Sequence, residues 1–183
     1  MQRRAALRTL AALAGVPALA GRSAGDLLAE AATRGGGLSA LTPAEDATVV
    51  ALAERIIPTT DTPGATAARV NQFIDVLLAD WFTDEERNDF LAGLADVEAR
   101  ARRAFGKAFA DGTPVEQDGV VAILDDEAHN VGGAEPSAAG RFFARFKALT
   151  LYGYYNSEVG MTQELHYEII PNHYAPCAPL GPA

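Results

Sequence analysis

The chain has one cysteine, Cys177, in 183 residues. A single thiol excludes an internal disulfide, a four-cysteine zinc site and the C-x-x-C-H attachment of a c-type haem. There is no G-x-G-x-x-G at a strand-to-helix turn. Gly35-Gly36-Gly37 sits between a leader-like start and a capping box, where it reads as a flexible linker. No flavin or nicotinamide fold is therefore encoded. β-Hairpin signals and internal repeats are also lacking. Basic residues are scarce, 15 against 24 acidic for a net charge of −9, which argues against nucleic acid, whose affinity comes largely from Lys and Arg on phosphates.

Three of the basic residues lie at the start of the chain, where they carry information. Residues 1–20 have the parts of a signal peptide: Arg3, Arg4 and Arg8, an apolar run from Leu10 to Val16, and Ala18-Leu19-Ala20 as a small-x-small cleavage site. The run is too short to span a bilayer. The paired Arg3-Arg4, with Leu7 and Arg8, resembles a twin-arginine export motif and departs from it at Gln2 and Ala6. An ordinary secretory signal and an uncleaved amphipathic start are the alternatives. Cleavage would lower the basic count from 15 to 12 and leave an acidic mature surface.

Residues 21–41, with a short helix candidate around Asp26 to Ala32, read as a tether, and 42–183 as one helical domain. Thr42-Pro43-Ala44-Glu45, Thr83-Asp84-Glu85-Glu86 and Thr113-Pro114-Val115-Glu116 are three capping boxes, each followed by apolar residues at helical spacing. Val49, Leu52, Ala53, Ile56 and Ile57 line the first helix, which Pro58 ends. A turn-rich stretch over 58–69 precedes a second apolar stripe of Val70, Phe73, Ile74, Leu77, Leu78 and Trp81. Phe90, Leu94, Val97, Ala101 and Phe105 line the next helix, and Arg100, Arg102 and Arg103 near its end suit the helix dipole as a solvated surface. The expected fold is all-α: an irregular bundle of five or six helices with an extended proline-rich C-terminal tail.

The last part of the chain is chemically dense. Residues 142–180 hold all five tyrosines, Tyr152, Tyr154, Tyr155, Tyr167 and Tyr174, together with His166, His173 and Cys177. Phe142, Phe143, Phe146 and Leu149 predict a helix that stops at Asn156-Ser157. Pro171, Pro176, Pro179 and Pro182 predict an extended tail. Aromatic rings with a polar tip cover much apolar area at little entropy cost, so the tyrosines read as a partner interface, with an ordinary core role, sugar stacking and membrane contact as the alternatives. Glu164, His166, Glu168 and His173 are conceivable metal ligands. On a helix, i and i+2 point about 200° apart, which argues against them; an extended segment would let them share a face. Ser157 near Glu158 and His166 lacks the strand-turn-helix elbow that activates a nucleophile. An unpaired Cys177 in an exported chain suggests a disulfide to another subunit or a buried free thiol.

Several segments together resemble the small subunit of gluconate 2-dehydrogenase (subunit 3) and its relatives, over residues 41–180. They are Ala51-Leu52-Ala53-Glu54-Arg55-Ile56-Ile57-Pro58 with Thr62-Pro63-Gly64-Ala65, then Phe73-Ile74-Asp75 and Phe142-Phe143. Leu149-Thr150-Leu151-Tyr152-Gly153-Tyr154-Tyr155-Asn156-Ser157-Glu158 and Pro176-Cys177-Ala178-Pro179-Leu180 complete the set. The resemblance implies a periplasmic complex in which a large FAD flavoprotein of the glucose-methanol-choline type oxidises a sugar, polyol or sugar acid. Electrons then pass to a c-type cytochrome subunit carrying haem c. It implies a small subunit without a redox centre, peripheral to the inner membrane through its partners, whose twin-arginine leader carries the folded, leaderless catalytic subunit across. An exported helical metal enzyme and a free-standing periplasmic binding module are the rival readings.

Overall fold

A computed structural model describes residues 37–129, 136–168 and 170. Among the described residues every regular element is helical: α1 (Pro43–Ile56), α2 (Val70–Asp80), α3 (Asp84–Phe105), α4 (Pro114–His129) and α5 (Ala138–Tyr155). A 3-10 turn, Phe109–Asp111, sits between α3 and α4, and a π-helical turn, Gly160–Glu164, follows α5. The tail past residue 170 and the leader with Arg3 and Arg4 lie outside the described residues.

Local chemistry sets most of the boundaries. Thr42, Thr83 and Thr113 each accept a hydrogen bond from the backbone N–H three residues on, while Glu45, Glu86 and Glu116 reach back to the threonine N–H. Orphan donors at three helix starts are thereby satisfied in pairs. Ser137 caps α5 by accepting from Gly140 N–H at 2.9 Å. Gly106, at φ +76, ends α3 in the left-handed conformation that glycine tolerates without steric cost.

α5 is the central element. Its Phe142, Phe143, Phe146 and Leu149 are buried against the other helices, with Phe90 of α3 5.3 Å from Phe142 and 6.0 Å from Phe146 between ring centres. α3 can come this close because residue 93 is glycine; a Cβ there would strike the Phe142 ring. Arg100 is not the solvated, dipole-matched group expected. It bonds Asp96 and Glu127, each at 2.6 Å, and ties α3 to α4, because the bundle brings those carboxylates to it from two sides.

α2 is buried almost all round, yet it carries an acid. Asp75 is 3% exposed, and its carboxylate accepts the backbone N–H groups of Ser39 (2.8 Å), Ala40 (2.9 Å) and Leu41 (2.9 Å). A buried charge needs such partners, and these satisfy both oxygens. The stretch expected to be tether is thus hydrogen-bonded to the bundle over residues 39–41, and Leu41 packs in the core.

Candidate partner interface

Two segments far apart in sequence meet at one end of the bundle: the loop between α1 and α2, and the end of α5 with the π turn. The loop is built around Glu54. Its carboxylate accepts from Thr59 N–H (2.8 Å) and hydroxyl (2.7 Å) and from Thr66 N–H (3.0 Å) and hydroxyl (2.7 Å). Gly64 is required there, since a Cβ would lie 2.5 Å from Glu54 Oε1 and 2.6 Å from the Thr59 nitrogen. The second segment locks onto this loop through two contacts. The Tyr154 hydroxyl donates to the Pro63 carbonyl at 2.8 Å, and the Thr62 hydroxyl donates to Glu164 at 2.7 Å.

The helical phase divides the tyrosines. Tyr154 points inward and is 1% exposed, so it is a core residue with a satisfied hydroxyl, and its assignment to a partner interface is corrected. Tyr152 and Tyr155, three residues apart and therefore on one face, are 37% and 38% exposed. Tyr152 leans on Phe73 of α2 at 6.0 Å between ring centres. Gly153 makes room for that contact, because a Cβ there would be 2.8 Å from the Phe73 ring. Tyr167 is exposed, as are Leu151, Leu165 and Ile170. Among the described residues, Val115 and Ile123 of α4 are the other large apolar side chains so exposed. Tyr174, His173 and Cys177 lie outside the described residues.

The end of α5 is closed by its own side chains. Asn156 Nδ2 donates to the Tyr152 carbonyl (2.8 Å), and Ser157 donates to the Tyr154 carbonyl (2.7 Å) while accepting from Gly160 N–H (3.1 Å). The Ser157 hydroxyl is buried and committed to these bonds, which makes it a turn residue and not a nucleophile. Gly160 is packed so closely on the Tyr154 carbonyl that a Cβ would collide with it, which fixes how the chain turns away from the helix. Glu164, His166 and Glu168 do not converge. Glu164 is held by Thr62, His166 Nδ1 is paired with the Thr162 carbonyl at 3.2 Å, and among the described residues no three potential ligands gather around a metal-sized space.

A family model described as gluconate 2-dehydrogenase subunit 3 matches residues 43–171, well over half of the chain. The chain belongs to this family. No curated protein and no solved structure matches it. In this member of the gluconate 2-dehydrogenase subunit 3 family, two of the segments that carry the resemblance are Ala51 to Pro58 with Thr62 to Ala65, and Leu149 to Glu158. They join at the Tyr154–Pro63 contact, and Glu164 of the π turn that follows adds a bond to Thr62. The Pro176-Cys177-Ala178-Pro179-Leu180 motif lies past the matched stretch. Family membership makes the chain a small subunit type of a dehydrogenase complex. No helix among the described residues is long and apolar enough to cross a membrane.

Sequence reasoning missed Glu54 as the hub of the loop. The signal available was an acid flanked by threonines five and twelve residues later, in a stretch too short to form its own helix. Burial works to raise the Glu54 pKa, but the hydrogen bonds from Thr66 and Thr59 outweigh it and hold the carboxyl below its ordinary value of 4.5. A depressed folded-state pKa contributes stability that is fully present above the unfolded value and lost as pH falls through the folded one. Glu54→Gln is therefore expected to destabilise the domain at pH 7 by about 1 kcal/mol, after discounting for solvent around the site. The gap from wild type should close as pH drops well below 4.5. Thermal melts of both proteins from pH 7 to pH 3 check this; a gap that stays constant with pH contradicts the charged role of Glu54.

Proposed function

We propose that this chain is the non-catalytic small subunit of a periplasmic, FAD-dependent dehydrogenase complex of the glucose-methanol-choline type, acting on a sugar, polyol or sugar acid. In this reading it stabilises the large flavoprotein and carries it through the twin-arginine route. The observation that carries the proposal is the family match over 43–171, supported by the exposed Tyr152, Tyr155 and Tyr167 at one end of the bundle. FAD belongs to the partner subunit and haem c to an associated cytochrome. The donor set of this chain fits neither role, since one cysteine cannot make the two thioether bonds of a C-x-x-C-H haem site and no dinucleotide-binding turn is present.

Coexpression with a flavoprotein dehydrogenase of the same organism tests the proposal. The two should copurify, the small subunit alone should be colourless and inert towards dyes with sugars, and the flavoprotein alone should melt at a lower temperature, because a bound partner stabilises by mass action. A flavoprotein whose yield and melting temperature are unchanged without this chain contradicts the stabilising role. The same preparation tests Cys177. With thiols blocked at lysis, non-reducing electrophoresis is expected to show one band at the summed mass that splits on reduction. Two bands without reductant, with Cys177 alkylated in the native complex, rule out the intersubunit bridge.

A further inference from the structure

The exposed tyrosine face has a charge pattern unlike the rest of the molecule. From Ala148 to the end of the chain there is no lysine or arginine, and none between Ile56 and Ala68 in the loop that packs beneath it. Lys147 and Arg69 bound these stretches, and Lys147 is already bonded to Asp125 at 2.7 Å. Elsewhere several cations are paired across the bundle, as in Arg55–Asp118, Arg100–Glu127, Lys107–Glu116 and Arg145–Glu86. Glu158 and Glu168 are exposed beside the apolar side chains and have no cationic partner among the described residues.

Resting on the small-subunit reading above, we infer that this face seats an apolar patch of the large flavoprotein subunit that is rimmed by lysine and arginine. The chemistry assigns separate tasks to the two parts. Tyr152 and Tyr155 are preset by the rigid end of α5, so burying them costs little side-chain freedom and they govern how long the complex lasts. Glu158 and Glu168 remain hydrated until a basic rim approaches, so they govern how fast it forms. The exposed Val115 and Ile123 on α4 make a poorer candidate. They lie on the same helix as Asp118 and Asp126, and Ile123 lies beside Arg100 and Arg103, a surface of mixed sign that favours no partner charge.

The test uses the full chain and the flavoprotein that copurifies with it, measuring association and dissociation rates at low and high salt. Glu158→Lys with Glu168→Lys is expected to slow association about tenfold at low ionic strength, with the difference vanishing near about 0.5 M salt, where the charges are screened. Tyr152→Ser with Tyr155→Ser is expected to speed dissociation about thirtyfold with a smaller effect on association. Val115→Ser with Ile123→Ser should change neither rate. Tyr152 also touches Phe73, so loss of fold in the tyrosine variant is checked by circular dichroism; the glutamate side chains have no cationic partner among the described residues and stand as the independent arm. A complex that forms normally when the glutamates are reversed, or that loosens with the α4 variant instead, overturns this face while leaving the subunit reading intact. Failure of the unaltered chain to copurify with any flavoprotein overturns both.

Discussion

Replacing Asp75 by alanine is expected to destabilise the domain by about 4 kcal/mol, since hydrogen bonds to a charged acceptor are each worth about 1.5–3 kcal/mol and partial exposure reduces the sum. A typical domain has only about 5–15 kcal/mol in total, so the variant should be close to unfolding at physiological temperature. The reason is the asymmetry between making and abandoning a hydrogen bond. Alanine leaves the N–H groups of Ser39, Ala40 and Leu41 without an acceptor, the last of them buried, and opens a gap in the wall of α2. Asparagine separates charge from shape. Its oxygen can replace Oδ1, which serves Ala40 and Leu41, but its amide nitrogen meets the Ser39 N–H donor to donor, so it should cost less than alanine and more than nothing. Urea melts rank the three proteins, and limited proteolysis at residues 37–41 shows whether the segment has come loose. An alanine variant within about 1 kcal/mol of wild type would mean that water satisfies these donors as well as the carboxylate does.

Asp75 also shows where the limit of sequence reading lies. The starts of α1, α3 and α4 are legible because a threonine and a glutamate three residues later solve a local problem, the unsatisfied N–H groups of a helix terminus. The start of α2 has no such box and is read from its apolar stripe alone, which begins at Val70 as the helix does. Its cap position, Arg69, is left-handed at φ 54 and makes no side-chain capping bond, and the loop leading to it is held by Glu54 from the preceding helix. Counting apolar residues finds α2 but passes over Asp75, whose partners are backbone groups 34–36 residues earlier, with no side-chain signature. The tyrosines were separable in principle. Phe142, Phe146, Leu149 and Gly153 mark the inward face of α5, and extending that phase by one residue reaches Tyr154, while Tyr152 and Tyr155 fall to the side. Treating them as one cluster obscured a division that the 3.6-residue period already contained. The fold was legible because its determinants are local, whereas the interface depends on which side of a helix its neighbours leave uncovered.

The second large effect concerns export. Changing Arg3 and Arg4 together to lysine is expected to leave both this subunit and its flavoprotein partner in the cytoplasm, lowering periplasmic dehydrogenase activity by at least about tenfold, because a receptor that reads paired guanidinium groups does not accept ammonium in their place. The substitution is chosen because it preserves charge. An ordinary secretory signal needs a positive start and an apolar run, both of which survive, so that route predicts no change. On the proposed function, folded export is what makes the small subunit indispensable for the location of its partner. If the proposed partner is folded around FAD and lacks a leader, it cannot be threaded unfolded through a secretory channel and would have to travel bound to a chain that has one. Fractionating cells into periplasm and cytoplasm, probing both subunits and assaying activity in each fraction separates the cases. Normal periplasmic activity contradicts twin-arginine export, and a variant small subunit that reaches the periplasm alone, leaving active flavoprotein behind, contradicts both twin-arginine export and carriage. Retention of both subunits in the cytoplasm as an intact, active complex is the expected result, and it places assembly before translocation.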